Sequence, residues 1–164
     1  MTVPGSSTMQ VRVENRQPVR VAFLQHLGPY SEVHVTWQQL REWARPRGLL
    51  GPDVQFIGVS HDDPATTPPE QIRYDAGLVV DPSVLAHGRI GVQDLEGGEY
   101  AVVTHRGPYW QLPDVYSYIY NEWLPNSGYQ PRGLPAYEVY RDNPEVTMAG
   151  DLLTDICVPV QPAG

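Results

Sequence analysis

The turn Gly-Pro-Tyr is written twice in this chain, in "QHLGPY" (Gln25 to Tyr30) and in "THRGPY" (Thr104 to Tyr109), and its surroundings repeat with it. At an offset of 79, Ala22 aligns with Ala101, His26 with His105, and Gly28-Pro29-Tyr30 with Gly107-Pro108-Tyr109. After one slip to 80, Trp43 aligns with Trp123, Gly48 with Gly128, Val59 with Val139, Asp62 with Asp142, Pro64 with Pro144, Asp75 with Asp155 and Val80 with Val160. The matches keep their order and need a single shift. A period of this kind marks a structural unit used more than once, and it divides the chain into halves at about residues 9–81 and 89–160.

Each half reads strand–helix–strand–strand. "VRVAFLQHL" (Val19 to Leu27) and "YAVVTHR" (Tyr100 to Arg106) are apolar and β-branched, as strands are. Gly-Pro ends both, because proline cannot donate to a sheet ladder. Helices are expected over about 31–45 and 110–124. Val33, Trp37, Leu40 and Ala44 form one helical stripe, and Leu112, Val115, Tyr116, Ile119 and Trp123 form the other. Further strands are expected at Val54 to Ser60, Arg73 to Asp81, Pro135 to Arg141 and Leu153 to Val160, with extra ones at Met9 to Asn15 and Arg89 to Gly97. Either half alone would leave one apolar sheet face uncovered. The fold class expected is therefore α+β: a pseudo-symmetric duplication of the module, with antiparallel sheets and a cleft between the halves.

The copies differ most in the strand after the helix. At an offset of 80, "QFIGVS" lies against "PAYEVY", so Glu138 takes the place of Gly58. Side chains alternate along a strand. The Ile57/Val59 and Tyr137/Val139 face is the apolar one and is expected to pack on the helices, which would turn Glu138 to the opposite face. A carboxylate in mid-strand, flanked by Tyr137, Val139 and Tyr140, is costly to bury without a partner, and a bound cation would reverse that cost. Two ordinary readings compete: Glu138 facing solvent or pairing with Arg141 or Arg132, and the aromatic side chains serving as core.

Composition narrows the function. The net charge of −8 disfavours direct binding to a phosphate backbone and favours cations or basic partners. One cysteine, Cys157, permits no internal disulfide and fits a reducing, cytoplasmic compartment. No apolar run approaches the length of a membrane helix, so no membrane partner is expected. Five histidines show no zinc-type spacing, and no phosphate-loop, dinucleotide or serine-hydrolase fingerprint occurs. No metal and no cofactor are assigned.

The segments "HLGPYSEV", "FIGVSHDDPATTPPEQIRYDAGLVV", "GGEYAVVTHRGPY", "YEVYRDNP" and "LLTDICVPV" resemble the GyrI-like family. That family includes the DNA gyrase inhibitory protein SbmC and the effector-binding domains of AraC-type and MerR-type regulators. The resemblance covers residues 9–161 as one domain and leaves residues 1–8 as a flexible leader. Such a leader is too short for a helix-turn-helix, so a one-component transcription regulator is not expected. The resemblance implies a small-molecule pocket, lined in the multidrug-sensing members by aromatics and a glutamate that meets lipophilic cations. Glu138 falls where the "YE" of the second-half strand carries that glutamate. Tyr140, Phe56, Tyr109 and Trp110 follow from strand direction or from the turn, and Gly58 is the small residue opposite Glu138 by pseudo-symmetry. The resemblance leaves three functions open. One is binding of lipophilic, cationic small molecules. The second is inhibition of DNA gyrase by protein–protein contact. The third is hydrolysis of strained cyclopropane-bearing compounds, with Glu138 activating water.

Overall fold

The computed structural model describes residues 9–62, 66–142 and 147–164. Residues 1–8, read above as a leader, lie outside the described residues. The elements in chain order are β1 (Arg12–Arg16), β2 (Val19–Leu27), α1 (Val33–Ala44), β3 (Phe56–Ser60), β4 (Arg73–Val79), β5 (Gly91–Leu95), β6 (Gly98–Arg106), α2 (Leu112–Tyr118), α3 (Leu124–Ser127), β7 (Tyr129–Pro131), β8 (Tyr137–Tyr140) and β9 (Leu153–Pro162). The fold is mixed α and β with antiparallel pairing. It forms two compact units, Gln17–Gly97 and residues 9–16 with Gly98–Gly164.

In the Gln17–Gly97 unit the strands run β3–β4–β2–β5, with Ile57 opposite Gly77, Val21 opposite Val79 and Val19 opposite Leu95. Helix α1 lays Thr36, Leu40 and Ala44 on this sheet, and the half-buried Val33 and Trp37 extend the same stripe. Trp37 meets Phe56 and Tyr74 edge-on, with ring centroids 5.8 and 6.3 Å apart. Leu24, Ala76 and Leu78 complete this core. The helix-facing side of β3 is thus the Phe56/Gly58/Ser60 side, not the Ile57/Val59 side expected from the sequence. Ile57 and Val59 are also buried, each 1% exposed. Since both faces of β3 leave water, apolarity alone could not choose between them.

The other unit has β1–β6–β9–β8, with β7 also on β9. The strand at the head of the chain, β1, is built into this unit through β6. Leu112, Val115 and Ile119 pack on Ala101, Val103, Ile156 and Val158. The helical run from Leu112 to Ser127 is not uniform. At Ile119–Trp123 it widens into a π turn, in which the Leu124 N–H donates to the Ile119 carbonyl five residues back. Pro125 follows at once. It has no N–H to give the ordinary α-helical bond, and a proline inside a helix displaces the preceding turn.

The repeated turn has the same local form in each unit. Gly28 and Gly107 have φ of +129° and +142°, a region that side chains rarely enter. Their N–H groups donate to Ile72 and Leu152 carbonyls at 2.8 Å. In the first unit His26 fixes the turn to the helix. Its Nε2 lies 2.9 Å from the Pro29 carbonyl, which can only accept, so that nitrogen carries the proton. Nδ1 lies 2.8 Å from the Thr36 hydroxyl.

Gly77 provides a direct check of sheet packing. A Cβ there would collide with Val21 Cγ1 and would come within 3.1 Å of the Ala22 carbonyl and 3.3 Å of the Ile57 carbonyl. Val21 is β-branched and fully buried, so it has little room to yield. Gly77→Ala is expected to destabilise the protein by about 1–3 kcal/mol, measured as a lowered urea midpoint.

Candidate functional site

Strand β8 is short and buried on both faces: Tyr137, Glu138 and Val139 are 2%, 6% and 6% exposed. Tyr137 is drawn to the side away from α2. Its ring meets Tyr100 edge-on at 5.3 Å, and Arg16 Nε donates to its hydroxyl at 2.8 Å. Alternation then sends Glu138 to the helix side, in the row of Ile156 and Val103. This reverses the expected facing of Glu138. The physical reason is that a buried phenol needs a hydrogen-bond partner, and Arg16 supplies it only on the far side.

On the helix side, two phenols hold the carboxylate. Tyr116 of α2 donates to Oε2 at 2.8 Å and Tyr140 of β8 donates to Oε1 at 2.5 Å. Tyr109, just after the second Gly-Pro, meets the Tyr140 ring edge-on at 5.4 Å. Among the described residues no Lys, Arg or His forms an ion pair with Glu138. Arg132 binds the Val160 and Glu99 carbonyls, and Arg141 lies 3.6 Å from Asp155. Burial pushes the Glu138 carboxyl above its ordinary value, and the Tyr140 and Tyr116 hydrogen bonds pull it partly back. Burial, together with the nearby carboxylate, pushes the Tyr116 phenol well above its ordinary value. Burial likewise raises Tyr120. The arrangement is a buried carboxyl group surrounded by tyrosine rings.

Of the residues singled out from the sequence, Tyr140 touches Glu138 and Tyr109 touches Tyr140. Trp110 stands 75% exposed. Phe56 and Gly58 belong to the other unit: Phe56 packs against Trp37 with the Arg41 guanidinium 5.2 Å from its ring, and Gly58 is buried opposite Ala76. Tyr116 was read as part of a core stripe, and its contact with Glu138 was missed. The available signal was a hydroxyl-bearing residue within the apolar stripe of α2. Reading it required the correct facing of β8. Cys157 is buried, and its thiol is pushed up to about 12 by that burial.

The sign of the Glu138 shift makes a test. A carboxyl whose folded value is raised supports folding fully only below its unfolded pKa, and that support is lost as pH rises through the folded value. Ionising the group therefore opposes folding. Glu138→Gln keeps the shape and removes the charge. It is expected to stabilise the protein at pH 7 by about 1 kcal/mol or more, roughly 2–4 °C in Tm for a chain of this size. The gap should narrow as the pH falls into the acid range, as followed by thermal melts from pH 4 to pH 8.

Comparison with known proteins gives a family match over residues 9–161, to the GyrI-like small molecule binding domain. "Probable transcriptional regulator YgiV" of Escherichia coli (strain K12) is 32% identical over 157 residues, covering 93% of this chain and 97% of that protein. A DNA gyrase inhibitor of Serratia proteamaculans (strain 568) is 32% identical over 149 residues, covering 88% and 94%. Among solved structures, the EcmrR C-terminal domain has a TM-score of 0.75 at 18% identity, covering 95% of this chain and 99% of that one. SAV2435 bound to tetraphenylphosphonium has a TM-score of 0.61 at 15% identity, covering 93% and 94%.

Proposed function

The chain belongs to the GyrI-like small molecule binding domain family, and from that premise we propose that it binds a lipophilic cation at Glu138. The observation that carries the reading is a buried carboxylate held by two tyrosine hydroxyls and paired with no cationic side chain among the described residues. An incoming positive charge would favour the ionised carboxylate and offset its desolvation. The rings of Tyr109, Tyr116 and Tyr140 suit an organic cation, because aromatic faces attract positive charge electrostatically. The similar fold of SAV2435, solved with tetraphenylphosphonium, supports the same ligand class. The proposed site needs only Glu138 and these three tyrosines. It asks nothing of Phe56, Gly58 or Trp110. A reducing, cytoplasmic setting fits a chain whose one thiol is buried. The two units, with their matching Gly-Pro turns, read as copies of one module.

Titration with tetraphenylphosphonium and with a neutral aromatic of similar size, followed by tryptophan fluorescence, tests the reading. Removing one charge of a desolvated pair costs about 2–5 kcal/mol, so Glu138→Gln is expected to weaken cation binding tens-fold to thousands-fold. Binding of the neutral compound should change little. Equal cation binding by both proteins would contradict the proposal. The hydrolase alternative predicts instead that a cyclopropane-bearing substrate is turned over by the wild type and not by Glu138→Gln.

A second reading, contact with DNA gyrase, has its own support in the relatives named as gyrase inhibitors and in the charge of −8. It predicts inhibition of supercoiling that survives Glu138→Gln. It also predicts no gel shift of duplex DNA by the protein alone, even at low salt, since phosphate binding needs a basic face.

A further inference from the structure

Asp75 is a buried carboxylate in β4, 2% exposed, and far from idle. Its Oδ1 accepts from Gln25 Nε2 of β2 at 3.2 Å. Its Oδ2 accepts from Gln93 Nε2 of β5 at 3.1 Å and from His61 Nε2 at 2.7 Å. His61 follows the last residue of β3, and its own N–H donates to the Arg73 carbonyl at 3.2 Å. One carboxylate therefore ties together all four strands of the Gln17–Gly97 unit.

The other unit ties its closing strand in the corresponding way. Asp155 of β9 accepts from Thr104 Oγ1 of β6 at 2.6 Å and faces Arg12 at 3.8 Å and Arg141 at 3.6 Å. Arg141 follows β8 as His61 follows β3. The two latches differ in one chemical respect. Arginine keeps its charge at every pH a folded protein meets, whereas histidine changes charge near neutrality.

We propose that His61 and Asp75 form a proton-operated latch on the β3–β4 pairing of the Gln17–Gly97 unit, with no counterpart that responds to pH in the Arg141–Asp155 pair. Protonated His61 forms an ion pair across the 2.7 Å hydrogen bond. Neutral His61 keeps the hydrogen bond through Nε2–H and loses the charge. Among the described residues, three charged groups act on the imidazole. Asp75 and Asp62 favour its charged form, and Arg73 opposes it. Arg73 is itself neutralised by a bidentate pair with Asp62, at 2.9 and 3.0 Å. Gln25 and Gln93 carry no charge.

The side-chain hydrogen bond to Asp75 leads the causes that hold His61 above the ordinary imidazole value, with burial opposing it. For a histidine raised in this way, the stabilisation is complete below the unfolded pKa near 6.5 and is lost as pH rises through the folded value. The latch is therefore closed in mildly acid solution and loosens on the alkaline side of the ordinary histidine range.

Amide hydrogen exchange tests the latch on the intact chain. Protection of amides in β3 and β4, corrected for intrinsic rates, is compared with protection of amides in β6 and β9 of the same sample from pH 6 to pH 8.5. The ratio is expected to fall with rising pH, by up to roughly tenfold for each unit by which His61 exceeds its unfolded value. His61→Arg copies the other unit and is expected to keep the ratio high and flat. His61→Gln is expected to make it low and flat. A wild-type ratio that does not change with pH would overturn the proposal, as would a His61→Arg ratio that falls as the wild type does. The imidazole resonances of His61 give a reading that needs no variant: titration at or below the ordinary histidine value would equally overturn it.

Discussion

The pair of phenol hydroxyls on the Glu138 carboxylate is the contact on which the functional reading depends. A carboxylate taken out of water without partners would take up a proton or unfold its strand. Tyr116 and Tyr140 each supply one hydrogen bond, which is enough to hold the group in place and too little to cancel its desolvation. The strain is electrostatic rather than geometric. Within the proposed function, it makes the site favour a positively charged ligand over a neutral one of the same shape.

Several local features converge on that contact. Arg16 captures the Tyr137 hydroxyl and so settles which way β8 faces. The Gly107-Pro108 turn ends β6 and delivers Tyr109 to the Tyr140 ring. Leu112, Val115 and Ile119 seat α2 on the sheet, which sets Tyr116 above Glu138. The Gln17–Gly97 unit also lays a helix on its sheet, over a strand of different side chains. Its helix side carries Phe56, Gly58 and Ser60 where the other unit has Ala136, Glu138 and Tyr140, and no carboxylate stands in that row.

Much of the backbone was legible in the sequence. Strand β2 was read with its bounds, Val19 to Leu27, because a β-branched run stopped by Gly-Pro leaves little choice. Both helices were read within a few residues from their stripes. The π turn was not, since nothing short of the Pro125 register reveals which preceding bond must give way. Strand β7 was also missed: three residues, Tyr129 to Pro131, are too few for any alternation to show. At the site, Glu138 stood out because the sequence offset of 80 sets it against a glycine, Gly58. Its direction was misread because strands buried on both faces carry no apolar alternation to read. Tyr116 was lost with it, since a hydroxyl in a core stripe has meaning only once its partner is known to face it.

The most direct measurement is the ionisation of Glu138 itself, followed through its side-chain carboxyl carbon by NMR in protein labelled with ¹³C. In the free protein the carboxyl should titrate above the ordinary glutamate range, and with saturating lipophilic cation its pKa should fall, because the bound charge favours the anion. A carboxyl that titrates at the ordinary value, or one that titrates identically with and without the cation, would contradict the account.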